Sequence, residues 1–134
     1  MAPKERPIIY TGDCNYLFAH HYGRGGSGPY TADVFHDHVD LVADSGVDTY
    51  VANANGQVPW YPSRALDHVI TGYTRGDKEF VRPHYPPTGG DFPQEMLEKH
   101  LVRDTAMLDR YLDLVEAGVD WLEEIAKACR RRGV

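Results

Sequence analysis

Residues 47–63 read Val-Asp-Thr-Tyr-Val-Ala-Asn-Ala-Asn-Gly-Gln-Val-Pro-Trp-Tyr-Pro-Ser, and the assignment of this stretch decides the fold. Val47 to Ala52 is dense in β-branched and aromatic residues, which suit a pleated, half-buried surface and predict a short strand. The strand runs into two amides, Asn53 and Asn55, and then into a loop that carries Trp60 and Tyr61 between Pro59 and Pro62. An apolar strand ending in polar groups and followed by an aromatic loop is how α/β proteins present a ligand site.

Upstream, Thr31 is placed to cap a helix running to about Ser45, with Val34, Phe35, His38, Val39 and Val42 at helical spacing and Gly46 just past its end. Ile8 to Gly12, Ile-Ile-Tyr-Thr-Gly, is a short apolar run expected of a buried parallel strand. Strand, helix and strand with short joints make a βαβ unit. Downstream, the segment 57–93 is irregular and holds six of the nine prolines, Pro59, Pro62, Pro83, Pro86, Pro87 and Pro93. A loop this long in a compact protein carries function or lacks order. A helical turn is expected near Ser63 to Ile70. A long helix opens at Asp91 or Pro93, with Leu97, Leu101, Leu108, Tyr111, Leu112 and Val115 as its stripe. Gly118 interrupts it. Asp120 with Glu123 then forms a capping-box signal for a last helix whose apolar face is Trp121, Leu122, Ile125, Ala126 and Cys129.

Two strands and three main helices do not close a sheet. The second strand lacks a further neighbour, and the helices' apolar faces lack a full sheet to cover. The expected fold class is therefore α/β, a partial (β/α)8 TIM barrel: an N-terminal (βα)2 segment with a long second βα loop, residues 1–134 being the N-terminal fragment of one barrel domain. The expected protein partner is the remainder of the barrel, or a second copy through self-association at the exposed strand edge.

Composition narrows the function classes. The 134 residues suit one domain, 42% of them hydrophobic and 25% charged. With a net charge of -6 and only Arg130 to Arg132 as a basic run, nucleic acid is not an expected partner. No apolar run reaches the roughly 18 residues of a membrane span, so no membrane partner is expected. Met1 to Pro7 is followed by no apolar h-region, so the expectation is no signal peptide in this chain and a cytoplasmic default. Cys14 and Cys129 have no metal-binding spacing and read as reduced thiols.

Candidate ligand contacts gather at the strand ends. Asp13 and Asn15 follow the first strand, and Asn53 and Asn55 follow the second. Strand C-termini form the active face of a barrel. Amides and a carboxylate together supply the donors and acceptors that sugar hydroxyls need; the same residue types also cap loops and hold turns. Trp60 and Tyr61 offer flat apolar faces for a sugar ring, or one of them packs under the loop as an anchor. His20 and His21 lie in a glycine-rich loop after Asp13, and His21 is taken as a further contact. Of the other histidines, His36 and His38 stand two apart on a helix and cannot chelate together, and His68, His84 and His100 have no ligand spacing. No metal and no cofactor is expected. Glu95, Glu98, Glu123 and Glu124 read as solvated helix faces.

Four pieces carry a resemblance: Ile-Ile-Tyr-x-Gly-Asp-Cys-Asn at 8–15, Gly-Val-Asp-Thr-Tyr at 46–50, Asn-x-Asn-Gly-Gln-Val-Pro-Trp-Tyr-Pro-Ser at 53–63, and Gly-Val-Asp-Trp-Leu with Ala-Cys-Arg-Arg-Arg-Gly-Val near the end. On these, residues 7–134 resemble the N-terminal part of bacterial glycoside-hydrolase-like proteins with a (β/α)8 barrel. The resemblance implies a carbohydrate-handling protein whose catalytic carboxylates come from later strands. This chain would then supply substrate-binding residues, namely Asp13, Asn15, His21, Asn53, Asn55, Trp60 and Tyr61, and be inactive alone. The alternatives are a metal-dependent hydrolase using His20, His21 and Asp13, and a non-catalytic carbohydrate-binding barrel.

Overall fold

Alternation of side chains is visible in both strands of the computed structural model, which describes residues 6–19, 30–54, 58–63 and 65–134. In β1 (Ile9–Asp13), Tyr10 and Gly12 turn inward while Ile9, Thr11 and Asp13 are exposed. In β2 (Thr49–Asn53), Tyr50 and Ala52 turn inward while Thr49, Val51 and Asn53 are exposed. The strands pair in parallel, as the βαβ pattern predicts, with Ile9 opposite Thr49 and Asp13 opposite Asn53. Both begin slightly later than the sequence suggests. The residues before them are used as a tie: the Ile8 N–H donates to Asp48 Oδ2 at 2.9 Å and the Asp48 N–H to the Ile8 carbonyl at 2.9 Å.

Five α-helices accompany this sheet among the described residues. The short α1 (Cys14–Ala19) follows β1 directly. Its C-terminal carbonyls, at Phe18 and Ala19, accept from Arg110 Nη1 at 2.8 and 3.1 Å. α2 (Asp33–Asp44) buries the expected stripe of Val34, Phe35, His38, Val39 and Val42. Its expected Thr31 side-chain cap is not formed. Ala32 is the cap residue, and the Thr31 and Ala32 carbonyls accept from Val34 and Phe35 at 3.2 and 3.1 Å. Gly46 ends the helix at φ +83°, a left-handed conformation that costs glycine little.

Inside the long loop the helix comes later than predicted. Residues 65–72 form bends and turns, and α3 (Lys78–Val81) is capped by Asp77, which accepts from Glu79 N and Phe80 N. A 3-10 turn, Arg82–His84, continues it. α4 (Gln94–Glu116) and α5 (Trp121–Arg132) match the two predicted C-terminal helices. The Asp120 cap is formed, its Oδ1 accepting from Glu123 N at 3.0 Å.

The barrel expectation is overturned. The chain is a small, mostly helical α/β protein with one two-stranded parallel sheet among the described residues, and not a (βα)2 segment of a TIM barrel. In a barrel the helices cover the sheet. Here they cover one another: α4 packs on α1 and α3, and α5 packs on α2. The largest fully buried side chains, Trp121, Tyr30, Tyr111, Phe18 and Phe35, all lie outside the strands. The sheet gives the core only a thin polar-aromatic inner face, while Ile9 and Val51 on its outer face are 61% and 43% exposed. Aromatic bulk at the helix faces and in the loop supplies the burial that a larger sheet would otherwise provide.

Gly12 sits under that inner face. A Cβ placed there would lie 2.9 Å from Tyr10 Cε1 and 3.0 Å from Tyr50 Oη, closer than packed carbon atoms approach. Gly12→Ala should therefore destabilise the fold by about 1–3 kcal/mol through overpacking, measured by urea denaturation. An unchanged midpoint would show that both tyrosines yield freely.

Candidate functional site

Asp13 and Asn53 end the two parallel strands in the same register, and Asn53 Nδ2 donates to Asp13 Oδ1 at 3.2 Å. Both are exposed. This pairing is across the strands, whereas the sequence grouped each residue with its chain neighbour. Asn15 is exposed and belongs to α1, so the strand-like alternation assumed for Asp13 and Asn15 is broken by the turn into the helix. His20, His21 and Asn55 lie outside the described residues.

Tyr16 was not singled out by its sequence context. It stands on α1 just after Asp13 and is 52% exposed. Tyr10 is raised above the usual phenol range by burial first, and then by Tyr16 and Asp13. Tyr16 and Asp13 are thus both within electrostatic reach of Tyr10. The only advance signal was the position of Tyr16 immediately past a strand.

The expected aromatic pair is elsewhere. Trp60 is a core residue, 9% exposed, stacked on Phe18 with ring centroids 5.4 Å apart and planes 9° apart. Its carbonyl accepts from Trp121 Nε1 at 3.0 Å, and its N–H donates to the Ala54 carbonyl at 3.1 Å. Tyr61 donates to Asp120, the residue that also caps α5, and its ring meets Trp121 edge-on. Neither ring lies open as a sugar platform. Trp60 is drawn into the core and Tyr61 packs partly buried against it, so both rings anchor the loop.

The remainder of the loop is clipped to α4 through carboxylates. Tyr73 donates to Asp109 Oδ1 at 2.6 Å, and Gly76 N donates to the same oxygen at 3.0 Å. Arg75 pairs with Asp113 at 2.7 Å and Glu116 at 2.8 Å. Tyr85 donates to Asp104, which also pairs with Arg103 at 2.6 Å. Glu98 and Glu124, read from sequence as solvated, meet Lys78 at 3.4 Å and His36 at 2.9 Å. A cleft of about 620 Å³ lined by Tyr30, Asp33, Asp113 and Glu116 lies at the start of α2. Two of its carboxylates are already matched by Arg75, so it is charged from within.

What this arrangement can do follows from its groups. Asp13 accepts and Asn53 both donates and accepts, which suits a neutral polyhydroxylated ligand. A glycosidase needs two carboxylates roughly 5–10 Å apart. Asp48, just before β2, is at the opposite end of the sheet, tied to Ile8. Among the described residues no group of three or more His, Cys, Asp and Glu side chains is placed to hold a metal ion, and no helix is long and apolar enough to cross a membrane. The chain matches no protein-family model and no curated protein sequence. The glycoside-hydrolase resemblance thus stands on its quoted motifs alone.

The tyrosine clips carry a pH signature. Tyr73 is raised by burial and then by Asp109, Tyr85 by burial and then by Asp104, and Tyr61 mainly by its bond to Asp120. A phenol held above its unfolded value of 10.0 stabilises the fold fully below that pH and loses its contribution as pH rises beyond it. The melting temperature should therefore fall above about pH 10. Tyr73→Phe should cost about 1.5–3 kcal/mol at neutral pH and make the alkaline decline shallower. An identical decline in the variant would remove Tyr73 from the account.

Proposed function

We propose that this chain handles carbohydrate, binding a sugar at the C-terminal end of its parallel sheet without a complete catalytic pair of its own. The observation that carries the reading is the Asp13–Asn53 pair, a carboxylate and an amide presented side by side at an exposed strand end. A vicinal diol can bond both groups at once, one hydroxyl donating to the carboxylate while the other accepts from the amide. Tyr16, half exposed on the short helix that follows Asp13, offers a ring for the sugar's C–H face in place of Trp60 and Tyr61. Asn15 is exposed on the same short helix and extends the polar set. The motif resemblance at 8–15 and 53–63 points to the same ligand class. Asp13 is the only carboxylate in this group, so its role here is to hold a hydroxyl.

Glycan-array binding followed by calorimetry on the best ligand tests the proposal. Asp13→Ala and Asn53→Ala should each weaken that ligand about tenfold or more, the loss of one hydrogen bond to a charged group or its equivalent. Trp60→Ala should instead destabilise the fold by about 3–5 kcal/mol. Absence of saturable glycan binding, or full affinity in both strand-end variants, would end the carbohydrate reading.

A further inference from the structure

Where the long loop's own helix crosses α4, the two elements leave a cavity of about 140 Å³ between them. Val81 of α3 and Leu108 of α4, both buried core residues, line it together with the half-buried Val69, Phe80 and Met107. The cavity is built from parts fixed by contacts of their own. Phe80 meets Tyr73 edge-on at 5.3 Å, and Tyr73 is clipped to Asp109 of α4. Lys78, at the start of α3, reaches Glu98 of α4 at 3.4 Å. The space between α3 and α4 is therefore set before any occupant arrives.

Size and lining select the occupant. An apolar cavity of roughly 150 Å³ is the size that takes up benzene. A sugar would leave its hydroxyls without partners against such a wall, at a cost for each. A flat aromatic ring suits it, with Phe80 for a ring contact and the Met107 thioether for a sulfur–aromatic one. Two side chains with polar groups, His84 and Asp104, also line the cavity. His84 is exposed on the 3-10 turn that continues α3, and its imidazole brings a donor and an acceptor. Asp104 Oδ1 accepts from Arg103 at 2.6 Å and Oδ2 accepts from Tyr85. Those bonds fix the carboxylate in place, and each oxygen has a second lone pair for a further donor. One hydroxyl can therefore use both residues, donating to Asp104 and accepting from His84.

We propose that this cavity between α3 and α4 binds a single-ring phenol, the ring lying among Val69, Phe80, Val81, Met107 and Leu108 and the hydroxyl held between Asp104 and His84. The ring provides the burial and the hydroxyl fixes its direction. An occupant touches both the loop's helix and α4, so binding also braces segment 78–84 against α4. The site shares no residue with the Asp13–Asn53 strand end, and it stands or falls independently of a sugar bound there.

Titration of the intact chain with phenol, followed by calorimetry and methyl NMR, tests the site. Phenol should saturate one site with a Kd of about 1 mM or tighter. The largest shifts should fall on the methyls of Val69, Val81, Met107 and Leu108. His84→Ala, an exposed substitution, should weaken phenol about fivefold, the loss of one hydrogen bond. Toluene, which has the ring without the hydroxyl, should not be weakened by that change. Met107→Trp should fill the cavity and abolish phenol binding. Should that variant fail to fold, contacts between phenol ring protons and the Leu108 methyls are sought by NMR in the native chain, and their presence supports the site. No saturation by phenol, shifts centred elsewhere, full phenol affinity or an equal loss for toluene in His84→Ala, undiminished binding in a folded Met107→Trp, or no contact with Leu108 would each overturn it.

Discussion

Phe18 and Trp60 lie face to face, and the tertiary structure is assembled on that stack. Phe18 belongs to α1 and Trp60 to the loop after β2, so the contact joins the two strand ends. Trp121 meets Phe18 edge-on at 5.7 Å and bonds the Trp60 carbonyl, adding α5. Tyr111 meets both Phe18 and Trp60, adding α4. Aromatic pairs contribute beyond their area when they meet offset or edge-on. The indole N–H also satisfies a buried carbonyl that would otherwise cost the fold heavily. Four segments far apart in sequence thus converge on one cluster, and the small sheet is carried by it.

The polar clips then settle the course of the long loop. Ile70, Tyr73 and Val81 anchor the loop in the core, and polar contacts fix the stretches between them. Those contacts set tyrosine hydroxyls and one arginine against Asp104, Asp109, Asp113, Glu116 and Asp120. Four of these carboxylates lie on α4 off its apolar stripe, and the fifth, Asp120, caps α5. Helical periodicity tells which residues face away from the core. It does not tell whether another chain segment lies across that outward face.

Much of the local structure was legible. The α2 stripe, Leu97, Leu101, Leu108 and Tyr111 of α4, Trp121 and Ile125 of α5, the Asp120 cap and the parallel strand pair follow from spacing and residue type, because those signals are local. Half of the strand-end site was legible too: Asp13 and Asn53 were picked for their positions past strands. Their mutual hydrogen bond was not, since it depends on a register of Ile9 with Thr49 that no local signal sets. For Trp60 and Tyr61 the sequence leaves ligand contact and loop anchor both open, for a related reason. A large ring in a proline-bounded loop has the same sequence context whether it caps a ligand or plugs a core.

Residue order alone determined the two strands, the helices α2, α4 and α5 with most of their apolar faces, and that polar groups gather at the strand ends. Tertiary structure alone decided that the helices close on one another around Phe18, Trp60, Tyr111 and Trp121 instead of on an extended sheet. It also decided that Asp13 meets Asn53 and that His38 is enclosed by Tyr10 and Tyr50. The physical reason is range. Periodicity and capping act within a few residues, whereas burial of aromatic surface is non-directional and takes whichever distant partners bring the most apolar area out of water.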